Sequence, residues 1–523
     1  MTKHKDLFQV NNLNTLVQLS GGNAACAAAD PNAAGESVFL PAEQLSASGS
    51  ASIIQMVCGG EKVPVIALSG TNPGQVVRGS FSGLPADCGG VRIEIAAVNP
   101  EDAGTGQEEV YRLRAAQPDN PADVSATTHW TPVRAAAGKA GECRFVELES
   151  YYPVNPGMKL EFQIERDLQD PASTYRGVSG IAGVRITPLK KLSAPQTVHD
   201  APGYNSWPMI QAVGSKLICV YSRGTEHTIG EKSRGIYART SSDGGKTWTP
   251  EVLVSNAPDV GEVNIGKGLD STGAALFMVR CVGTPWRHEL YRTADGISFE
   301  RIAVLRPDPM PMQITDIFQV PGKGLMALWF AGEYTRDGKP HNSWGTLTSK
   351  DDGRTWTQQV METGLTRDDW PTEPSAVYLG NGRILAIARS EALGNDTRRA
   401  QYQLESSDYG QTWRRFRTRI CDVLESTPTL FYDPVTGLIT NYYFHRIRGM
   451  LKRRTVSAER IWGHPLDWPT CEVIASGSTH GCDAGNVNGT RIGNTHYLIY
   501  YSGDSRNTSI VMFQAQAPES GGE

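Results

Sequence analysis

An eight-residue phrase, S-x-D-x-G-x-T-W, recurs along the chain and constrains its fold more than any other feature. Complete copies run over 241–248, 349–356 and 406–413, and a degenerate copy, TADGISF, runs over 293–299. Successive aspartates of these copies are 52, 56 and 57 residues apart: Asp243, Asp295, Asp351 and Asp408. A period near 50 residues is typical of a repeat architecture, in which one supersecondary unit recurs and packs against its neighbours.

Each copy of the phrase is interpreted as a hairpin turn. Its aspartate accepts hydrogen bonds from backbone N–H groups just ahead of it, and its glycine supplies a positive φ. Thr and Trp then begin the next strand, so that the aromatic ring packs beside the neighbouring hairpin. The rings concerned are Trp248, Trp356 and Trp413. We therefore expect this phrase to serve folding rather than chemistry.

Pairs of strand-like segments precede the turns, for example SWPMIQAV with KLICVYSRG, and EPSAVYL with RILAIARSE. A third segment leads into each turn, as in GIYARTSSD. Six such units of three or four strands fit into 194–517, where helical periodicity is nearly absent. The 55 glycines and 31 prolines suit a turn-rich all-β chain. The sequence therefore predicts a six-bladed β-propeller over 194–517.

The repeated phrase resembles the Asp box, or BNR repeat, of the sialidase superfamily. The resemblance covers about 325 of the 523 residues. It implies a sialidase-like propeller in which the boxes lie at blade edges, away from the active site. The box is specific for the fold and much less so for activity, because several glycosidases, some lyases and non-enzymatic receptors carry it.

The resemblance also implies a site in the central funnel. Sialidases bind the sugar carboxylate with three arginines, whose planar guanidinium groups form bidentate hydrogen bonds. An acidic residue and a Tyr–Glu pair complete their site. PTEPSAVYL supplies Glu373 at the place of that Glu, and RILAIARSE supplies Arg389 as the second arginine. NYYFHRIRG supplies Arg446 as the third, with Arg448 as an alternative.

Two positions depart from the family pattern. Ser206 stands where the first arginine is expected, followed by Trp207, and Asn486 stands roughly where the family tyrosine would be. The loss of these two groups, with one Glu and two Arg kept, resembles the phage endosialidases, which cut polymeric sialic acid. A funnel with fewer carboxylate clamps suits an internal sugar of an acidic polymer, and equally a different glycan.

The loop YSRGTEHTIGEKSRG offers an acid/base residue in Glu226, with His227 and Glu231 as alternatives. A glutamate near a cationic patch serves as proton donor if burial raises its pKa. Arg234 adds positive charge to the funnel. The residues expected to bind substrate are Trp207, Arg223, His227, Arg280, Asn486 and Tyr501.

Residues 1–193 lack the repeat. We expect a partly irregular N-terminal segment over 1–85, a possible attachment region, and a β-sandwich over 86–190, where segments such as VRIEIAAV and CRFVELESYY alternate. LKKLSAPQTVHDAPG is interpreted as a linker. The stretch NPGMKLEFQIERDLQDPASTYRGVSGIAGVRITPL resembles modules of phage virion proteins, and a generic carbohydrate-binding sandwich is the alternative. The resemblance implies contacts with other virion proteins and suggests a homotrimer.

Composition narrows the classes of function. A net charge of −5 argues against nucleic acid as a partner, and no apolar run is long enough for membrane insertion. We identify no signal peptide, no metal site and no cofactor motif, and the nine dispersed cysteines indicate free thiols. The resemblance to phage proteins implies a virion protein acting outside the cell, and the alternative is a bacterial protein that is cytoplasmic or exported by a route without a signal peptide.

Three functions remain open at this point. The first is hydrolysis of an acidic surface polysaccharide. The second is non-catalytic glycan binding, or a structural virion role, on the same scaffold. The third is a polysaccharide lyase, which needs a Tyr or His base near the arginines; Tyr443, His445 and Tyr501 are candidates.

Overall fold

A computed structural model describes residues 32–58, 61–120, 130–332, 342–394, 396–424, 426–479 and 483–519. This part divides into two compact units: the first ends at Leu192 and includes Gly394–Arg398, and the second begins at Ser193. Strands dominate both, which confirms the all-β prediction. Helical structure in the described ranges is limited to α1 (Ala458–Ile461) and the short 3₁₀ turns Ala42–Gln44, Arg367–Asp369, Thr397–Arg399 and Arg446–Arg448. None of these helices is long or apolar enough to cross a membrane.

The described part of the first unit contains eleven strands in two antiparallel sheets. The strands are β1 (Val38–Pro41), β2 (Ser46–Ser48), β3 (Ser52–Cys58), β4 (Glu61–Leu68), β5 (Val76–Phe81), β6 (Cys88–Val98), β7 (Glu108–Ala116), β8 (Thr131–Ala136), β9 (Cys143–Pro153), β10 (Leu160–Arg166) and β11 (Ser179–Lys190). One sheet has the order β3-β4-β11-β6-β9, with β1 beside β11, and the other has the order β2-β5-β10-β7-β8. One apolar cluster takes residues from both sheets, such as Ile93 and Val184 from the first and Tyr111 and Ile164 from the second.

The boundary expected at residues 85 and 86 lies inside this unit. Strand β4 pairs with β11, and β5 pairs with β10, so segments before the boundary complete sheets formed after it. The irregular segment expected over 1–85 is therefore largely stranded from residue 38 onward, whereas residues 1–31 lie outside the described ranges. The sequence did not indicate these strands, because they are short and separated by turns. Their pairing partners β10 and β11 lie about a hundred residues later.

The second unit contains the remaining strands. They are β12 (Gln196–His199), β13 (Tyr204–Val213), β14 (Lys216–Gly224), β15 (Gly235–Ser241), β16 (Val252–Ser255), β17 (Val260–Leu269), β18 (Ala275–Gly283), β19 (Arg287–Thr293), β20 (Glu300–Leu305), β21 (Thr315–Val320), β22 (Gly324–Ala331), β23 (Ser343–Ser349), β24 (Thr357–Glu362), β25 (Pro371–Gly380), β26 (Arg383–Ser390), β27 (Tyr402–Ser406), β28 (Arg414–Arg417), β29 (Thr429–Asp433), β30 (Leu438–His445), β31 (Met450–Ser457), β32 (Glu472–Ala475), β33 (Ala484–Ile492), β34 (Thr495–Gly503) and β35 (Thr508–Gln516).

These strands form six antiparallel groups that follow one another in sequence. Groups β13–β16 and β33–β35 share one sheet, β17–β20 and β21–β24 share a second, and β25–β28 and β29–β32 are one sheet each. Parallel pairing joins β13 to β35 and β17 to β21 within the two larger sheets. Strand β12 pairs with β35 and completes the sixth group. The expected linker therefore contributes a strand, because the backbone groups of β35 would otherwise lack partners along that edge.

Hydrogen bonds connect the first strand of each group to the next group around a closed circle. Ile210 N–H donates to Asn488 Oδ1 at 3.1 Å, which joins β13 to β33 and so links the first group to the last. The other junctions are Thr429 to Val487 O, Leu430 N–H to Ser375 Oγ, Ser375 to Asp316, Ile314 N–H to Ile265 O, and Asn264 to Val220 O. The first strands thus surround one axis, with their starts at one end of it.

The repeated phrase forms the turn between the third and fourth strands of a group. The Asp351 carboxylate accepts hydrogen bonds from the Thr355 N–H at 2.8 Å and from the Thr355 hydroxyl at 2.6 Å, and these bonds lower its pKa to about 2. Trp356 Nε1 donates to Gly353 O at 2.8 Å. Asp243 and Asp408 make the same bonds to Thr247 and Thr412, whereas the degenerate Asp295 accepts from Ile297 N–H and Ser298 N–H.

The glycine of the phrase seats each turn on the preceding group. A Cβ on Gly353 would lie 2.6 Å from a methyl carbon of Leu290, and one on Gly410 would lie 2.6 Å from Met326 Cε. Both glycines also have φ near 80–90°. Any larger residue would push the turn away from its neighbour, so the phrase sets how adjacent groups pack.

Candidate functional site

Four non-glycine residues near the starts of the first strands have left-handed backbone conformations. They are Trp207 (φ 48°), Thr315 (φ 48°), Glu373 (φ 48°) and Asn486 (φ 53°). At Trp207, Glu373 and Asn486 the pairing with the next strand shifts register at the same point. Such backbone costs about 1–2 kcal/mol per residue and is concentrated at functional sites. Equivalent positions in different groups thus hold buried side chains of different chemistry at one end of the circle.

Glu373 is the centre of a buried ion pair. Its Oε1 lies 3.3 Å from Arg389 Nη1, and its Oε2 accepts a hydrogen bond from the Thr427 hydroxyl at 2.8 Å. Arg389 also pairs with Glu391, with 3.2 Å between Nε and Oε1. The shifted register next to Thr372 brings Glu373 and Arg389 together, since Arg389 pairs across the strands with Thr372.

Arg446 joins the same group through an amide. Its Nη2 donates to Asn486 Oδ1 at 2.9 Å, and the Thr427 hydroxyl lies 3.1 Å from that same oxygen. A continuous chain of contacts therefore runs Arg389–Glu373–Thr427–Asn486–Arg446, and we call it the arginine-carboxylate chain. The structure brings together four of the residues expected in the site and adds Thr427, which lies between strands and carried no signal. Arg448 is buried on the same 3₁₀ turn, and its N–H donates to His445 Nδ1.

An aromatic cluster lies beside this chain. The ring centres of Trp207 and Tyr501 are 6.5 Å apart, and each lies 6.2 Å from Tyr204. Burial raises the pKa of the Tyr501 phenol; Arg446 opposes that rise and Glu373 adds to it. Tyr501 is therefore within electrostatic reach of Arg446 and Glu373 in the arginine-carboxylate chain and holds its proton at neutral pH.

Arg234 lies under the aromatic cluster and is fully buried. Its guanidinium carbon is 4.9 Å from the centre of the Trp207 ring, and its Nη1 donates to Ser206 Oγ at 3.3 Å. Ser206 holds the place expected for an arginine, so Arg234, the residue directly before β15, supplies a guanidinium next to that place. It supports the Trp207 ring from below.

Tyr204, His227 and Asp483 form a polar triad that the sequence did not reveal. The Tyr204 hydroxyl donates to Asp483 Oδ1 at 2.8 Å and lies 2.5 Å from His227 Nδ1. Although the His227 side chain is 44% exposed, its partial burial lowers its pKa and keeps its imidazole neutral near pH 7, whereas full burial raises the pKa of Tyr204. The triad holds a carboxylate and an exchangeable proton beside Trp207. Asp483 precedes the predicted site residue Asn486 by three positions, and this proximity in sequence was the only indication that Asp483 belongs to the site.

The loop after β14 separates the acid/base candidates. Glu226 is exposed, and its Oε1 accepts from the Thr228 hydroxyl at 2.8 Å. Burial alone would raise the pKa of Glu231, but hydrogen bonds from Ser233 and Thr225 hold that pKa below its usual value. Glu231 is therefore ionised and fastens the loop, whereas Glu226 has the more solvent-accessible carboxylate.

Two further arginines expected in the site take other partners. Arg223 Nη1 pairs with Glu251 Oε1 at 2.5 Å and lies over the Tyr237 ring. Arg280 is buried over the Trp286 ring, and its Nη1 lies 3.5 Å from Met312 O. The part of the chain that the structure describes contains no group of three or more His, Cys, Asp or Glu side chains placed to hold a metal ion.

Comparisons with known proteins concern the fold. No protein-family profile matches the chain, and no curated protein matches its sequence. A crystal structure of a protein of unknown function from Dyadobacter fermentans aligns with a TM-score of 0.50 at 15% identity, covering 62% of this chain and 98% of that one. The Hadza microbial sialidase Hz136 aligns at 0.47 and 16% identity over 85% and 96% of the two chains. Trypanosoma rangeli sialidase in complex with the inhibitor DANA aligns at 0.44 and 13% identity over 62% and 58%.

Proposed function

We propose that the second unit is a six-bladed, sialidase-like propeller that binds an acidic polysaccharide and hydrolyses its internal glycosidic linkages. One observation carries the proposal: the arginine-carboxylate chain lies beside an aromatic cluster at one end of the circle of first strands. Guanidinium groups recognise sugar carboxylates, and aromatic rings stack on sugar faces. The first unit, with one core between two sheets, is interpreted as the β-sandwich.

The number of cationic groups favours an internal sugar. Arg389 and Arg446 are the guanidinium groups of the arginine-carboxylate chain, whereas Arg234 is fully buried beneath Trp207. Two guanidinium groups bind one sugar carboxylate more weakly than the three of sialidases do. They also leave room for the polysaccharide to continue on both sides of the bound sugar. Trp207, which packs against the fully buried rings of Tyr204 and Tyr501, then provides the aromatic contact for a neighbouring sugar.

Hydrolysis needs a nucleophile or base and an acid. Glu373 fills the first role, either directly or through Tyr501, which pairs with Gly485 next to the position where the family tyrosine was expected. Asp483 or Glu226 fills the second role. Asp483 is held beside Trp207 by Tyr204, and Glu226 is exposed on the facing loop. The developing positive charge on the sugar is stabilised by Glu373.

Purified acidic polysaccharides incubated with the protein test this proposal. New reducing ends without ultraviolet absorbance from unsaturated uronate are expected. Asp483→Asn and Glu226→Gln assign the acid: the true donor loses about 100-fold or more in rate, and the other variant retains most of it. Binding without cleavage would instead support the non-catalytic glycan-binding function.

A lyase is the second candidate, and one observation favours it. The Tyr204 hydroxyl lies 2.5 Å from His227 Nδ1, a pairing that suits proton abstraction beside the arginines. The earlier candidates Tyr443, His445 and Tyr501 are buried, as is Tyr204, and the Tyr443 hydroxyl is taken up by bonds to Asp422 and Arg454. Ultraviolet absorbance from unsaturated products would show that the protein cleaves by elimination and not by hydrolysis. Loss of this absorbance in Tyr204→Phe would assign the base to Tyr204.

The surroundings of the protein form a further part of the proposal. We infer that it is a phage tail or other virion protein whose first unit contacts other virion proteins and whose second unit contacts the cell-surface glycan. Light scattering of the purified chain tests the homotrimer: a mass of about three chains is expected, and a monomer at all concentrations would contradict it.

A further inference from the structure

A cavity of about 670 Å³ opens at the other ends of the first strands of the second unit. Every one of the six groups contributes to its lining, with Gln211, Gly268, Phe318, Tyr378, Tyr432 and Thr490 as one representative each. Glu373 and Tyr378 lie on the same strand, β25, five residues apart. This corresponds to about 17 Å. We call this cavity the far mouth, since it is separate from the arginine-carboxylate chain.

Aromatic side chains give the far mouth an apolar surface. Phe318, Tyr378 and Tyr432 are each half-buried. Phe318 and Tyr378 pack on one apolar cluster and Tyr432 on another, and the remaining surface of each ring borders the cavity. Rings held on one side by the core are rigid, so a ligand stacking on them loses little entropy from the protein.

Charged groups at the far mouth are neutralised by one another. Lys267 Nζ lies 3.0 Å from Asp316 Oδ1, and Arg491 Nη2 lies 3.1 Å from Asp433 Oδ2. An anionic or cationic ligand therefore gains less at the far mouth than a neutral one.

Polar groups at the far mouth are fixed in place. The Asp316 carboxylate also accepts a hydrogen bond from the Ser375 hydroxyl at 2.5 Å and one from the Ala376 N–H at 3.3 Å, which ties β21 to β25. Gln211 is nearly buried, and Gln319 is exposed at the edge of the cavity. Amide, carboxylate and ammonium groups thus stand among aromatic rings, a combination that matches the hydroxyl groups and C–H faces of a sugar.

We propose that the far mouth binds a neutral oligosaccharide. The aromatic rings stack on the sugar faces, and Gln211, Gln319 and the Lys267–Asp316 pair bond to hydroxyl groups. This site is independent of polysaccharide cleavage at the arginine-carboxylate chain. It would hold a second, uncharged glycan at the opposite end of the same unit.

Isothermal titration of the full chain with neutral trisaccharides of glucose, of galactose and of N-acetylglucosamine tests the proposal. At least one trisaccharide is expected to bind, and Tyr378→Ala and Tyr432→Ala should each weaken it about 10-fold. Gln319→Ala, at an exposed position, should weaken binding about threefold without affecting folding. The matched control is Tyr237→Ala, a half-buried tyrosine outside the cavity, which should bind as wild type.

The result separates this proposal from the function proposed above. Glu373→Gln should bind the neutral trisaccharide as tightly as wild type, whether or not it cleaves an acidic polymer. Failure of all three trisaccharides to bind at millimolar concentration would overturn the proposal. So would unchanged affinity in folded Tyr378→Ala and Gln319→Ala.

Discussion

The box turns and the starts of the first strands both recur around the second unit, yet they differ in what is repeated. In the turns the left-handed residue before the glycine is variable, as Gly244, Asp352 and Tyr409 show, while the aspartate and its bonds are constant. At the strand starts the left-handed residues Trp207, Thr315, Glu373 and Asn486 are buried and all different. A constant side chain at a repeated place serves the shared fold. Different side chains held in the same strained backbone serve individual contacts, and here these include the arginine-carboxylate chain.

Arg446→Met should produce the largest effect, and it tests the strand starts because Arg446, just after the end of β30, donates to the strand-start residue Asn486. Removing this buried guanidinium should weaken binding of the acidic polysaccharide about 100-fold, because charge-assisted bonds to a carboxylate are lost. Surface plasmon resonance on immobilised polysaccharide measures it. Arg223→Met is the matched control, since Arg223 pairs with Glu251 instead. Equal losses in both variants would remove the distinction between the two arginines.

Asp408→Ala should affect stability alone. Its carboxylate accepts bonds from the N–H groups of Gln411 and Thr412 and from the Thr412 hydroxyl. Their loss should lower the free energy of unfolding by about 1–2 kcal/mol, with polysaccharide cleavage unchanged below the transition. Thermal melts measure the change. Asp295→Ala, in the degenerate turn, should cause a smaller drop, and a loss of cleavage in folded Asp408→Ala would break the comparison.

Glu262→Gln should stabilise the protein at alkaline pH. Burial raises the pKa of Glu262 from 4.5 to about 7, so its folded-state stabilisation is complete at acid pH and is lost as pH rises from 4.5 through 7. The variant should therefore melt close to wild type at pH 4.5 and be more stable by about 1 kcal/mol at pH 8. Glu459→Gln, an exposed control, should show no such trend. A stabilisation that is equal at both pH values would contradict the assignment.

Asp351→Asn should show the opposite and smallest pH dependence. Hydrogen bonds from Thr355 lower the pKa of Asp351 from 3.8 to about 2. The stability it contributes is present above its unfolded pKa and is lost as pH falls toward 2. The difference in melting temperature between wild type and variant should stay constant from pH 7 to pH 5 and shrink below pH 4. A difference in melting temperature that grew on acidification would contradict the claim that the ionised Asp351 carboxylate stabilises the turn.

Local patterns in the sequence were sufficient for part of this picture. The spacing of the Asp boxes and the alternating segments indicated an all-β chain. The resemblance to sialidases placed Glu373, Arg389 and Arg446 at strand ends, and the structure places them in one chain of contacts. Their roles in catalysis stay predictions, as do the propeller, the virion location and the trimer.

Long-range contacts account for what the sequence did not reveal. Strand β12 has four residues and acquires its conformation from β35, more than 300 residues later. Tyr204 and Asp483 are 279 residues apart and meet because the first and last groups are neighbours in the circle. Arg234 lies 27 residues after Trp207 and reaches beneath its ring from the loop before β15. No local period or motif records such pairings, since they depend on how the groups close on each other.

The cleavage rate of Glu373→Gln, measured beside its melting temperature, tests the central claim most directly. The claim is that chemistry resides at the strand starts and not in the box turns. The account predicts a rate lower by about 100-fold or more on the acidic polysaccharide that wild type cleaves, with a melting temperature within about 2 °C of wild type. Cleavage by Glu373→Gln at the wild-type rate would contradict it.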